Sequence, residues 1–131
     1  MLSSRLRNSF ILLAVLVLSA CTAAPVYNVQ NAQITGHTGQ NFTEEQVKTA
    51  IVNAATGLGW SMKEIAPGKL EGLIHVRSHM AMIEVTYSQA TYSIQYKDSE
   101  NLNYDGRNIH KNYTRWIKNI QRRMSQELYK L

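Results

Sequence analysis

A single cysteine, Cys21, among 131 residues excludes a disulfide framework within the chain and any zinc cluster built on several thiolates. Long apolar runs are also lacking. The longest covers nine residues, Phe10 to Leu18, against the roughly 20 that a membrane-spanning helix needs. Charge of either sign is missing from residues 22 to 43, and acid is scarce at the other end: seven basic residues face one acid, Glu127, from Arg107 to Leu131. There is no internal repeat, no glycine-rich loop that would cradle a phosphate, and no serine in a nucleophile elbow. With 44% hydrophobic and 18% charged residues, the composition is that of a folded globular chain and not of a disordered one.

The first twenty residues read as an address. Arg5 and Arg7 give a basic start, the Phe10–Leu18 run follows, and small residues close the segment. This is the order of a secretory signal peptide. Its end, Leu18-Ser19-Ala20-Cys21, resembles the lipobox of bacterial lipoproteins. The resemblance implies that the Cys21 thiol receives a diacylglyceryl group and that cleavage before it frees an amine for a third acyl chain. Each buried methylene contributes about 0.8 kcal/mol, so several chains make a stable anchor. Thr22 stands where an aspartate would favour retention at the inner membrane. The resemblance therefore points to the outer membrane, facing the periplasm. The expected division is 1–20 signal peptide, 21–41 lipidated cysteine and neutral tether, and 42–131 a single domain. As a coil, a tether of about 20 residues would span about 25 Å. Val26, Tyr27, Val29 and Ile34 argue that part of it lies on the domain as an extended segment.

A first helix is expected from Thr43. Thr43 and Gln46 fit a capping box, and Phe42 with Val47 fits a hydrophobic staple. Glu44 and Glu45 suit the positive end of the helix dipole. Val47, Ala50, Ile51, Ala54 and Leu58 make the apolar stripe, and Gly57 and Gly59 end it. Four strands follow. Pro67-Gly68, Arg77-Ser78 and Gln89-Ala90 mark the turns. The last turn pairs Tyr87 with Tyr92, Val85 with Ile94 and Ile83 with Tyr96 on one face. Thr86–Ser93, Glu84–Gln95 and Met82–Lys97 fall on the other. The middle turn pairs Ile74 with Ala81 and Leu70 with Val85, and sets Glu71 opposite Glu84. A long helix from Ile109 to Tyr129 carries Tyr113, Trp116, Ile117, Ile120, Met124 and Leu128 on one face. The expected fold is α+β, of order α-β-β-β-β-α. A four-stranded antiparallel meander is covered on one face by the N-terminal and C-terminal helices in two layers.

Four constellations bear on function. His75 and His79 have a helical metal spacing but flank a turn, which sends their rings to opposite faces, so no metal is expected. Arg107, Lys111, Arg115, Lys118 and Arg122 form a basic stripe opposite the apolar face of the last helix. Such a stripe suits anionic lipid or an acidic envelope protein, or is a solvated face. Leu73, Met80 and Met82 fall on the sheet face away from the helices, with Trp60 and Met62 as candidate neighbours, and such a face needs either the chain's own residues or a partner to cover it. Asp98, Asn101, Asp105 and His110 mark a loop whose side chains can close turns or hold a small ligand, and Asn108 can cap the helix that follows. Nucleic acid is not expected, because no aromatic platform accompanies the stripe and the address is the periplasm. No cofactor is expected besides the covalent lipid.

The stretches Ala24-Pro25-Val26-Tyr27-Asn28-Val29, Gly59-Trp60 and Tyr92-Ser93-Ile94-Gln95-Tyr96 belong with a longer block, Asp98-Ser99-Glu100-Asn101-Leu102-Asn103-Tyr104-Asp105-Gly106. Ile109-His110-Lys111-Asn112-Tyr113 and Trp116-Ile117 complete it. Together they resemble small uncharacterised proteobacterial lipoproteins. The resemblance implies location and no activity. The leading expectation is a lipid-anchored envelope accessory or interaction module rather than an enzyme. A small hydrolase or ligand-binding protein using the Asp98–His110 loop, and a structural spacer, are the alternatives.

Overall fold

The computed structural model describes residues 22–39 and 41–131. The expected signal segment 1–20 and the expected lipidation site Cys21 lie outside the described residues. Strand β1 covers Ala23–Pro25, β2 Val29–Gln33, β3 Ser61–Ala66, β4 Lys69–Val76, β5 His79–Tyr87, β6 Thr91–Glu100 and β7 Asn108–His110; helix α1 covers Glu44–Thr56 and α2 Lys111–Tyr129. The fold is α+β. Its main sheet is antiparallel and five-stranded, in the order β2-β6-β5-β4-β3, and β1 pairs with β7 in a separate two-stranded ribbon.

Helix α1 begins as its sequence dictates. The Thr43 hydroxyl accepts from the Gln46 amide at 3.1 Å, and the Gln46 side chain accepts from the Thr43 amide at 2.8 Å. Two otherwise orphaned donors are thereby satisfied. Val47, Ala50, Ile51, Ala54 and Ala55 are buried, with Phe42 and Leu58 packed against them at the two ends. Gly59 sits at φ +91°, where a side chain would be strained, and the Trp60 amide donates back to Ala55.

The meander keeps the register that its polarity requires. Tyr87 faces Tyr92, Val85 faces Ile94 and Ile83 faces Tyr96. Ile74 faces Ala81, and Leu70 faces Val85. Leu70, Ile74, Ala81, Ile83, Val85, Tyr87, Tyr92 and Ile94 are all buried in one cluster with the apolar stripes of both helices. Both helices therefore cover the same face of the sheet. On β4 this face includes Gly72, where an added Cβ would stand 2.8 Å from Ile83 Cγ1 and 3.0 Å from Met62 Sδ.

Four expectations need correction. The register slips by one beyond Ile83: a bulge lets Met82 face Asp98 instead of Lys97. The extra residue has a task. Lys97 Nζ reaches Glu71 at 2.6 Å, and Lys69 lies 3.5 Å from Glu84. These two lysines neutralise the carboxylates that the strands set opposite each other. Second, Trp60 and Met62 do not join the open sheet face. Met62 pairs with Gly72 and, like the buried Trp60, packs on the core side. Third, α2 starts at Lys111, not Ile109. Ile109 is buried from the short strand β7, and His110 rather than Asn108 caps the helix, its Nδ1 accepting from the Asn112 amide at 3.1 Å.

Fourth, the sheet has a fifth strand, which comes from the neutral segment. Val29, buried, pairs with Ile94, and Ala32 pairs with Tyr92. From there the segment accompanies α2 along its whole length. The Lys111 amide donates to Thr22 at the start of the helix, the Tyr27 hydroxyl donates to Gln121 at 2.8 Å in the middle, and the His37 amide donates to Tyr129 at the end. Residues 22–38 thus form a strap, not a free coil. Val26, Tyr27, Ala32 and Ile34 supply its apolar contacts with the core.

Candidate functional site

The corner where the chain enters the fold is built by three segments. Ala23, Ala24 and Pro25 face His110, Ile109 and Asn108. The Val26 amide donates to Arg107 at 3.0 Å and the Lys111 amide to Thr22 at 3.0 Å, so every step from 22 to 26 is tied to 107–111. Behind this ribbon the 101–107 loop is closed by its own side chains. Asp105 Oδ1 accepts from the Arg107 amide at 2.9 Å and the Asn108 amide at 2.6 Å. These two donors stabilise the carboxylate and hold its pKa below the usual aspartate value. The Asn101 amide group donates to Ser78 at 2.6 Å, and His79 Nδ1 bonds the Asn101 carbonyl at 2.7 Å, which pins the loop to the β4–β5 turn. Asp98 accepts from the Ser99 amide. The candidate ligand residues Asp98, Asn101, Asp105 and His110 therefore serve as turn and helix caps. An open hollow of about 410 Å³ is lined by Asp98, Asn101, Leu102, Tyr96 and Tyr104, but Asp105 and His110 do not reach it.

A tyrosine cluster supports the loop. Tyr96 packs 4.3 Å from the ring of Tyr104 and edge-on to Tyr113 at 5.6 Å, and its hydroxyl bonds Ser99 at 2.7 Å. Tyr113 is fully buried, and burial pushes its phenol far above the ordinary value. It stays protonated and acts by packing.

The basic stripe leaves this corner along α2. Lys111, Arg115, Lys118 and Arg122 are all exposed, and Arg107 is exposed on the loop just before. At 100° per residue the four helical cations fall within an arc of about 60°, extended over about 16 Å of axis. Lys118 Nζ lies 5.4 Å from the centroid of the Tyr27 ring, so the strap also positions one of the cations. The ion pairs among the described residues use Lys48, Lys69, Lys97 and Lys130, and none uses a residue of the stripe. The charge separation visible in the sequence is thus preserved in space.

The third candidate surface is small. On the open sheet face Met80 is buried, whereas Leu73 and Met82 are half-buried. Cross-strand pairing sets Met82 between Leu73 and Asp98, and Met80 between His75 and Glu100. Glu71 and Glu84 close the next row. Charged and polar neighbours on each side reduce three apolar residues to an isolated patch. The strap does not cover it, because β2 extends the sheet in its own plane. His75 and His79 flank the β4–β5 turn on alternating positions, and among the described residues no three metal-binding side chains come together.

The signal for the strap lay in Val26, Tyr27, Val29 and Ile34. What the sequence hid was their partner, the outer edge of β6. No protein-family model matches this chain, and no curated protein or solved structure is significantly similar to it.

Proposed function

We propose that this chain is a lipid-anchored periplasmic protein of the outer membrane that acts as an envelope accessory module, by binding and not by catalysis. The observation that carries the reading is the Leu18-Ser19-Ala20-Cys21 block behind a basic start and a nine-residue apolar run, with the chain's only cysteine at the position that acylation requires. Its likeness to small proteobacterial lipoproteins agrees with that address. Binding rather than catalysis is supported by the loop from Asp98 to His110, whose polar side chains are committed to caps. It is further supported by the exposed cations of α2, which offer a charged surface.

The test is metabolic labelling with an alkyne fatty acid, followed by membrane fractionation. The parent chain takes up label and sediments with the outer membrane, and Cys21→Ser abolishes labelling. Label retained by Cys21→Ser, or an unlabelled parent, would refute the anchor. Recovery in the inner-membrane fraction would refute the outer-membrane assignment.

A further inference from the structure

We propose that the basic face of α2 is the membrane-contacting surface of this protein, seated on the anionic phospholipid headgroups of the leaflet that holds the Cys21 acyl chains. The inference rests on the acylation proposed above and adds to it the orientation of the domain and the chemistry of what it touches.

The first ground is the place where the chain enters the fold. A free tether of about 20 residues would let the domain present any face to the bilayer. The structure leaves no such freedom. The Thr22 carbonyl is bonded to the Lys111 amide, and the next three residues pair with β7. Cys21 is the residue that precedes Thr22 in the chain. One peptide bond separates the residue to be acylated from Thr22, whose carbonyl is held at the first turn of α2, where the stripe of cations begins. A short attachment restricts which surfaces can reach the headgroups, and the cation of the stripe that is tied to Thr22 is Lys111.

The second ground is charge. Lys111, Arg115, Lys118 and Arg122 project to one side of α2 and take no part in the ion pairs of the described residues, whereas Lys48, Lys69, Lys97 and Lys130 each sit on a carboxylate. The body of the domain, Thr43 to Gly106, carries eight acids and five basic residues. An anionic surface attracts the first side and repels the second, so the field orients the domain as well as holding it. Tyr129 is five helical turns from Lys111, and so on the same side, and it is 59% exposed. A tyrosine at that end suits the headgroup level.

The experiment uses the acylated mature chain in vesicles of phosphatidylglycerol and phosphatidylethanolamine, compared with neutral phosphatidylcholine. A fluorophore is placed through Asn119→Cys beside the stripe, or through Gln95→Cys on the open sheet face; both positions are exposed. A headgroup-borne quencher then reads proximity. The Asn119→Cys label is expected to be quenched several-fold more than the Gln95→Cys label in anionic vesicles, with the difference lost in neutral vesicles or high salt. Lys111→Glu/Arg115→Glu/Arg122→Glu should abolish it, and the milder triple change to Gln should reduce it if the reversal impairs folding. Equal quenching at the two positions on an acylated protein that floats with the vesicles would overturn the surface and leave the anchor standing. A protein whose intact mass lacks acyl chains and which fails to float would overturn the anchor, and the surface with it.

Discussion

Replacing Val29 by alanine separates a strap from a tether. Val29 is 5% exposed and faces Ile94 in the core cluster. Alanine removes two methyl groups at about 0.8 kcal/mol each, or about 1.6 kcal/mol of lost transfer energy. A residual void of about 25 Å³ would add about 0.6 kcal/mol. The expected loss is thus about 2 kcal/mol, which for a domain of this size lowers Tm by roughly 8 °C. The assay is urea and thermal unfolding followed by circular dichroism, with Gln30→Ala as control. Gln30 is exposed in the same strand, and its replacement should cost less than about 0.5 kcal/mol. A tether makes the two variants equivalent to the parent. A Val29→Ala midpoint within about 2 °C of the parent would refute the strap and remove the fixed relation between the 22–26 segment and α2.

Two further outcomes follow from particular contacts. Gly72→Ala should destabilise by about 1–3 kcal/mol in urea unfolding, because its Cβ meets the buried Ile83 at 2.8 Å; an unchanged midpoint would show that β3 and β4 do not approach as closely as described. The Asp105 carboxyl, followed by carbon NMR, should titrate below the ordinary aspartate value of about 3.9. Because the folded pKa is the lower one, its stabilising bonds to the 107 and 108 amides persist above that ordinary value. They are lost as pH falls through the depressed one. A midpoint at or above the ordinary value would contradict the turn geometry.

What could be read before the structure was local or periodic. The capping box needs only Thr43 and Gln46, three residues apart. The β5–β6 register needs only alternation on either side of a short turn, and it held from Tyr87–Tyr92 to Ile83–Tyr96. The bulge at Lys97 was not legible, since what makes the extra residue useful is Glu71, 26 positions away and on a strand that does not neighbour β6. The start of α2 was misplaced for a related reason. Ile109 fits the helical stripe, but its backbone pairs with Ala24, 85 positions earlier, and that pairing overrides the periodicity. Of the candidate surfaces, the basic stripe could be read directly. The loop residues could not be divided between ligand and cap until their hydrogen bonds were seen.

Short-range sequence signals were enough for the two amphipathic helices, the meander's register near its turns and the separation of a basic end from an acidic body. Each of these depends on residues close together in the chain. The path of the neutral segment depends on pairing with residues distant in the chain. Its few apolar residues are too sparse to specify a strand alone, and they gain their burial from the edge of β6 and the flank of α2. That long-range pairing makes the neutral segment part of the domain and brings Thr22 to the beginning of the basic helix.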